Sequence, residues 1–386
     1  MEGQKSAVSA GPSSLENAAE NGNSERHVDS RDIAILAELE RNARVPVAVI
    51  AKKLKLPRRT VQFRIDRMAR LGVIKKFIAR VNNYILGDRT VELLLKLHEG
   101  SDHVAVAKGI ASMPRVHCAF AMHGEWDIYA AVAFRNGDEL KRILSGIYER
   151  YGNSIRQRGM MDAMSLHPFR SKLRLSQDGR EDATIDDSLR ASHSDDGRTT
   201  VTLTQKEEEA INVLRENSRI PAVELAERIG VTPDTAARMV KSLLDRRIVA
   251  AYTIQYDSSA VGYDRYMYFV LTGTTTTEQS RSLLNFSVKC KNVTYLIQGI
   301  GHYDYLIDLS VRGQKELMSV LAEIKTVLKG GTVREDIMLV EDAWYGEKIL
   351  ASAGSADAIL PEPRERQRAR SKSAYPAPTL MEFYKE

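Results

Sequence analysis

The most constraining feature of this chain is that a long stretch of it occurs twice. Asn42-Ala43-Arg44-Val45-Pro46 recurs 175 residues later as Asn217-Ser218-Arg219-Ile220-Pro221, and the offset holds without a gap to Leu86-Gly87 and Val261-Gly262. A repeat of this length is a unit of structure, so the chain must fold as two similar halves. Its 386 residues also exceed what one ordinary hydrophobic core holds, which agrees with two to four small domains.

Composition excludes several classes of protein. Two cysteines, Cys118 and Cys290, cannot form a disulfide framework or a cysteine-based zinc site, and they suit a reducing compartment. There is no apolar run of about 18 residues and no signal-peptide pattern, so we expect a cytoplasmic protein that stays off the membrane. A net charge of +5 and a pI of about 9.0 mildly favour a polyanionic partner.

Three polar segments flank or separate the halves. Residues 1–27 have almost no large apolar side chain and are expected to be disordered, and residues 171–200 are expected to be a linker. Residues 349–386 are expected to form a flexible basic tail. Its basic run from Arg364 to Lys372 is interpreted as a solvated terminus, with a weak nucleic-acid contact as the alternative.

Each half is predicted to open with three short helices, over residues 28–82 and 201–256. In the first copy Ile33, Leu36 and Leu39 share one helix face, and Asp32 favours a helix start. Pro46 suits the first turn of the second helix. The third helix presents an apolar side and is followed by Gly72, a good helix stop.

The hydrophobic period then changes to that of strands. Residues 83–170 and 257–348 each follow the order strand, helix, strand, strand, helix, strand, which is the ferredoxin-like pattern. Turns at Gly124–Asp127 and Gly301–Asp304 are 177 residues apart, so two residues are inserted after the Leu-Gly pair. The predicted fold class is therefore α+β, a duplicated winged-type helix-turn-helix followed by a ferredoxin-like domain.

These motifs, in this order and twice over, resemble the Lrp/AsnC (feast/famine) family of transcription regulators. The resemblance covers about residues 29–165 and 203–345. It implies a helix-turn-helix for double-stranded DNA, followed by a ligand-sensing and oligomer-forming domain. Most members carry one such pair, whereas this chain carries two. The motifs that carry the resemblance are Asn42-Ala43-Arg44, Thr60-Val61, Arg64-Ile65, Gly72-Val73-Ile74 and the two Gly-x-x-Asp turns.

The third helix of a helix-turn-helix enters the major groove, where cations meet phosphates and side chains reach base edges. In the first copy this helix begins near Pro57, and Thr60 is expected either to bond a phosphate or to cap the helix. Its outward positions can grip guanine through arginine and adenine through glutamine. The candidate DNA-binding residues are Arg58, Arg59, Thr60, Gln62, Arg64 and Arg67, and in the second copy Thr235, Arg238 and Lys241.

Charge distinguishes the two copies. The window from Lys52 to Arg80 has eleven basic residues against one acidic residue, whereas Glu227 to Gln255 has five against three. Asp234 lies where Arg59 lies in the first copy. We therefore expect the first unit to dominate DNA binding, and the second to bind weakly or to serve as a packing element.

In the family that the chain resembles, amino acids or similar effectors bind where two of these sheet domains meet, near the Gly-x-x-Asp turn. Gly124, Asp127, Gly301 and Asp304 are therefore candidate effector contacts, and the alternative is that they only make tight turns. Ferredoxin-like edge strands need covering, so we expect a homo-oligomer or an internal pseudo-dimer. Sequence does not decide between these two.

The predicted function is a sequence-specific DNA-binding transcription regulator controlled by a small effector, with no cofactor or metal and no enzymatic activity. The alternative is an enzyme, because siroheme decarboxylases resemble these regulators and use histidine and arginine on the sheet. His117, His123 and His302 are the histidines in question, and each is interpreted as a structural group. The usual catalytic motifs are missing from the sequence. A third reading is an interaction protein whose helix-turn-helix units are relics.

Overall fold

The computed structural model describes residues 28–169, 191–192, 201–274, 276–329 and 331–346. The segments expected to be a disordered N-terminus (1–27) and a basic tail (349–386) lie outside these residues. Of the expected linker, 171–200, only the two-residue strand Ala191–Ser192 is described.

The first half begins with three helices and then alternates strands with helices. Its elements in chain order are α1 (Ser30–Arg41), α2 (Val47–Leu54), α3 (Arg58–Arg70), β1 (Ile74–Val81), β2 (Arg89–Leu97), α4 (His103–Ala111), β3 (Val116–His123), β4 (Ile128–Phe134), α5 (Gly137–Tyr151) and β5 (Ile155–Pro168).

The second half repeats this order after the short strand. Its elements are β6 (Ala191–Ser192), α6 (Gln205–Glu216), α7 (Ala222–Ile229), α8 (Pro233–Asp245), β7 (Val249–Tyr256), β8 (Asp264–Thr272), α9 (Thr277–Lys289), β9 (Val293–Gly301), β10 (Tyr305–Val311), α10 (Gly313–Val327) and β11 (Thr332–Tyr345).

The first helix of each half starts with the same local device. The Asp29 carboxylate caps α1 by accepting from the backbone N–H of Asp32, and the Asp32 carboxylate accepts from the backbone N–H of Asp29. These bonds satisfy N–H groups that have no partner within the helix. Thr204 and Glu207, 175 residues on, form the same capping box at α6. Asp32 thus lies in the first turn of the helix, where an acidic side chain favours the helix start, as the sequence predicts.

The two helix-turn-helix units are joined by an antiparallel ribbon of β1 and β7. In this ribbon Ile78 pairs with Thr253, its own equivalent 175 residues later, so the two units are related by an approximate two-fold axis. Their apolar side chains form one continuous core that includes Ile35 and Leu39 of the first unit and Ile211 and Leu214 of the second.

The repeated Asn-x-Arg motif holds the two units together. The Arg44 guanidinium donates to the carbonyl oxygens of Ser218 and Ile220, and its centre lies 5.5 Å from the centroid of the Tyr252 ring. Arg219, the equivalent of Arg44, lies 5.4 Å from the ring centroid of Phe77, the equivalent of Tyr252. The Asn-x-Arg motif therefore contributes to the contact between the two helix-turn-helix units.

The sheets of the two halves close into one barrel. The strand order is β2-β4-β3-β11-β8-β10-β9-β5, and β5 pairs back to β2. The two junctions are reciprocal, because Ala343 pairs with Phe120 in one and their equivalents Leu166 and Ile297 pair in the other. The two halves thus form an internal pseudo-dimer, which covers the strand edges within one chain.

The barrel separates an inner core from two outer ones. Helices α4 and α5 pack on the outside of the first half, and α9 and α10 pack on the second. Inside, Trp126 donates a 2.9 Å hydrogen bond to the hydroxyl of its equivalent, Tyr303. No helix among the described residues is long and apolar enough to cross a membrane.

Candidate nucleic-acid interface and ligand cavity

Helix α3 presents a basic face to solvent. Pro57 precedes its first residue, and Val61, Ile65 and Met68 are buried against the rest of the unit. The side chains on the opposite side are exposed, and Phe63 is 60% exposed. The exposed residues of this face are Arg58, Arg59, Gln62, Phe63, Asp66 and Arg70.

Two residues expected on that face are held by the protein itself. The Arg64 guanidinium lies 2.8 Å from a carboxylate oxygen of Asp29 and 2.8 Å from one of Asp32, and Arg67 lies 3.5 Å from Asp32. Asp32 is 1% exposed, so its charge needs these partners. The outward position predicted for Arg64 and Arg67 is therefore corrected, because both side chains fasten α3 to the start of α1.

Thr60 is the third residue of α3, in its first turn, and is half-buried. The N-cap of the helix is Pro57, which offers no side-chain hydrogen bond, so Thr60 does not cap the helix. Of the two roles expected for Thr60, the phosphate contact stays a prediction.

Helix α8 of the second unit is capped in the ordinary way, because Thr232 accepts a hydrogen bond from the backbone of Thr235. Arg238 and Lys241 are exposed, and Thr235 is half-buried. Asp234 in the first turn is exposed too, so this face has less positive charge to offer a phosphate than α3 has.

The two Gly-x-x-Asp turns meet at the Trp126–Tyr303 contact, but their carboxylates already have partners. Asp127 accepts from the backbone N–H of Leu97 and from Lys96, each at 2.8 Å. Asp304 accepts from the backbone N–H and the hydroxyl of Thr272, each at 2.7 Å. These bonds tie each turn to the end of a neighbouring strand, β2 for Asp127 and β8 for Asp304.

The glycines of these turns allow the halves to approach closely. A Cβ on Gly124 would lie 2.8 Å from the carbonyl oxygen of Ile337, and one on Gly301 would lie 2.4 Å from that of Met160. Their φ angles of +147° and +139° also favour glycine. The turns therefore belong to the junction between halves, while their role in binding an effector remains a prediction.

A cavity of about 460 Å³ lies between the β1–β7 ribbon and the interior of the barrel. This volume falls within the range of about 300–1,000 Å³ that is typical of small-molecule sites. We call it the barrel-mouth cavity. The polar residues that characterise its lining are Glu92, Tyr129, His117, Arg215, Arg265 and Asp308.

Glu92 is the unusual member of this lining. Its side chain is fully buried, and Oε2 accepts a 2.6 Å hydrogen bond from the Tyr129 hydroxyl, while Oε1 has no hydrogen-bond partner among the described residues. Burial raises the pKa of Glu92 to about 7, the Tyr129 bond opposes that rise, and the nearby Asp162 adds to it. The second half has Met267 and Leu306 at the equivalent positions.

Three further charged residues of the lining, Arg215, Arg265 and Asp308, differ from Glu92, and the lining also contains Glu40, Lys75, Lys76, Arg80, Asp257, Asp264, Glu341 and Asp342. Asp308 is paired with Arg265, whose Nε lies 3.0 Å from each carboxylate oxygen. Arg215, at the end of α6, donates through Nη2 to the carbonyl oxygen of Gly346 at 3.1 Å, and its buried Nη1 has no partner among the described residues. Burial lowers the pKa of Arg215 to about 10, so it stays a cation.

The three histidines weighed for the enzyme interpretation lie in three different places. His117 lines the cavity, where burial and the charges of Arg215 and Arg115 lower its pKa to about 3. His302 packs edge-on against Trp126 with ring centroids 5.2 Å apart. His123 is exposed on the outside of the barrel. A shared catalytic site is therefore not formed by these residues.

One cluster could hold a metal ion. The Nε2 atoms of His103 and His123 lie 2.7 and 2.9 Å from the same oxygen of Glu341. These are hydrogen-bond distances, and the three ligand atoms lie within 4.8 Å of one another. The sequence gives no sign of this cluster, since its residues come from both halves.

Comparison with known proteins agrees with the repeat. A model of winged helix-turn-helix DNA-binding domains matches residues 28–75 and again 203–250. An uncharacterized HTH-type transcriptional regulator from Pyrococcus furiosus is 36% identical over 120 residues, 30% of this chain and 80% of that protein. The chain belongs to the Lrp/AsnC family of HTH-type transcriptional regulators. Another relative, the regulator LysM from Saccharolobus solfataricus, is 27% identical over 121 residues, 31% of this chain and 84% of that protein.

One solved structure matches nearly the whole Lrp/AsnC chain. The crystal structure of the siroheme decarboxylase NirDL has a TM-score of 0.56 and 12% identity, covering 89% of this chain and 100% of that chain. At this identity the likeness shows the duplicated α+β fold alone. The curated relatives are named as transcriptional regulators, which agrees with the prediction that the protein is not an enzyme.

Sequence reasoning missed Glu92 and Arg215. Glu92 lies between Val91 and Leu93 in an otherwise apolar strand. An ionisable residue at such a position is a sequence signal for a buried functional group. Arg215 gave no signal, because its place in the cavity depends on how the second unit packs on the barrel.

Proposed function

We propose that this Lrp/AsnC regulator binds duplex DNA mainly through α3 of its first unit. The observation that carries the proposal is the exposed basic face with Arg58, Arg59 and Gln62 at the leading end of that helix. Arg58 and Arg59 stand where a recognition helix meets phosphate and base edges, and Gln62 could read adenine. Binding at promoters would then block or recruit polymerase.

The second unit has a smaller part in this proposal. Arg238, Lys241 and the half-buried Thr235 remain candidate DNA contacts, but Asp234 would face the phosphates and reduce their affinity. The second unit also has a structural role, since it shares its core and its strand β7 with the first.

The test is a pair of double variants measured on a duplex selected by the wild-type protein from a random pool. We expect Arg58→Ala/Arg59→Ala to weaken binding by at least about tenfold and to flatten the salt dependence by about two phosphate contacts. Arg238→Ala/Lys241→Ala, which removes the same charge, is the matched control and should have a smaller effect. The reverse order would contradict the proposal.

Effector control is the second part of the proposal. Gly124, Asp127, Gly301 and Asp304 stay predicted contacts, and they are supported by the meeting of their turns at the Trp126–Tyr303 bond. The carboxylates of Asp127 and Asp304 would have to exchange backbone partners to hold a ligand. Loss of effector response in Asp127→Asn, with DNA affinity unchanged in the absence of effector, would support these contacts.

A further inference from the structure

We propose that the barrel-mouth cavity binds a small organic ammonium compound, with its ammonium group against Glu92. This inference rests on the proposed function only in one respect, that the bound ligand would regulate DNA binding. The site is separate from the Gly-x-x-Asp turns. It starts from Glu92, a residue of the cavity lining whose carboxylate is fully buried and whose Oε1 has no hydrogen-bond partner among the described residues.

A buried charge is stable only when it is paired. Among the residues that the structure describes, the cavity contains one carboxylate that is paired with a cation and one that is not. In the second half Asp308 is paired with Arg265 at 3.0 Å. In the first half Thr90 and Ala131 stand at the positions of Arg265 and Asp308, and the carboxylate is instead Glu92, which accepts from the Tyr129 hydroxyl. The charge that acts on Glu92 from nearby is Asp162, another carboxylate. A cation brought by a ligand would therefore complete this site.

Aromatic side chains line the cavity, and two of their faces, those of Phe120 and Tyr295, already hold the guanidinium groups of Arg265 and Arg80 at 4.3 and 5.9 Å from the ring centroids. Ring faces attract cations, because their quadrupole is negative at the centre. The aromatic side chains that line the cavity are Tyr84, Phe120, Tyr129, Tyr256, Tyr295 and Tyr345.

A second polar group on the same molecule would find a partner as well. Arg215 lines the cavity and its buried Nη1 has no hydrogen-bond partner among the described residues, so a carboxylate on the ligand could accept from it. Arg215 belongs to α6 of the second unit, whereas Glu92 belongs to β2 of the first barrel domain. A ligand that spans these two groups would tie a helix-turn-helix unit to the barrel.

The experiment uses full-length protein without DNA, in mildly alkaline buffer so that Glu92 is ionised. Isothermal titration is carried out with n-butylamine, putrescine and L-leucine, and with n-butyrate and 4-methylpentanoate, which lack the amine. We expect at least one of the amines to bind, the two acids to bind at least about tenfold more weakly, and Glu92→Gln to weaken amine binding at least about tenfold.

Two further variants make the result specific. Glu149→Gln removes an exposed carboxylate on α5 and should leave binding unchanged. Loss of binding in Asp127→Asn but not in Glu92→Gln would place the ligand at the turns and overturn this inference while leaving effector control intact. Binding by none of the amines, or undiminished binding in Glu92→Gln, would overturn it too. Because DNA is absent, neither result depends on the recognition helix.

Discussion

At the scale of single residues, the most consequential side chain is Glu92. A carboxyl group in water ionises near its ordinary pKa of 4.5, but burial raises the pKa of Glu92 to about 7 in the folded protein. In the folded state the group keeps its proton over a pH range in which the unfolded chain has lost it. Stability should therefore fall as pH rises between these two values, and stay lower above them.

Glu92→Gln should remove this pH dependence. A difference of about 2.5 pKa units corresponds to about 3 kcal/mol, so the variant should be more stable than wild type by up to about that amount above neutral pH. Below the ordinary pKa the two proteins should unfold alike, because the carboxyl is then protonated in both states. Urea unfolding of ligand-free protein across this pH range measures the difference. Parallel curves for the two proteins would contradict the assignment of a buried, unpaired carboxylate.

At the scale of elements, hydrophobic spacing was enough to predict the helices of each unit and the strand-helix order of each barrel domain. Local period determines element type, so these predictions do not need the partner of each element. Arg64 shows the limit. By spacing it belongs to the outward face of α3, and only the approach of Asp29 and Asp32 from the start of α1 reveals that its half-buried side chain is held in ion pairs.

The joining of the two halves could not be predicted for a related reason. The edge strands β3, β5, β9 and β11 resemble other amphipathic or apolar strands, and their own residues do not indicate which strand each will pair with. The motif Asn42-Ala43-Arg44 is recognisable in the sequence, but the contact of Arg44 with Tyr252 depends on the β1–β7 ribbon that joins the two units. The candidate DNA-binding face was predictable, whereas the cavity was not, because its walls come from both halves.

The Gly-x-x-Asp turns give a prediction at this scale. Gly301→Ala should destabilise the protein by more than about 2 kcal/mol, because the new Cβ would meet the Met160 carbonyl oxygen and the φ angle of +139° is strained for alanine. Gly124→Ala should act in the same direction. Gly137→Ala is the control, since no atom lies within 4 Å of its added Cβ, and it should change stability by less than about 1 kcal/mol. Thermal unfolding of the three variants compares them.

At the scale of the whole molecule, the two halves of one chain pack together as two copies of the same repeat. The closed barrel, the β1–β7 ribbon and the shared helix-turn-helix core all cross from one half to the other. These contacts are hydrogen-bonded strands and buried apolar side chains, so the covalent connection between the halves should not be needed to hold them together.

A protease site inserted within residues 171–190 tests this. After cleavage the two fragments should elute as one species, and raising the salt should not separate them, because apolar burial is not screened as surface charge is. Denaturant should separate them in a single transition. Fragments that part in native buffer would show that the junctions are weaker than the pairing of strands indicates.

Joining two copies in one chain also frees each from the other. In a protein built from identical subunits every substitution appears twice, so a strong DNA-reading face or a buried acid must be duplicated with it. Here Asp234 stands at the position equivalent to Arg59, and Met267 stands at the position equivalent to Glu92. The molecule therefore has one dominant basic face and one cavity wall that carries this carboxylate. A target site recognised by such a protein has no need to be palindromic, and a single ligand molecule would be enough to set its state.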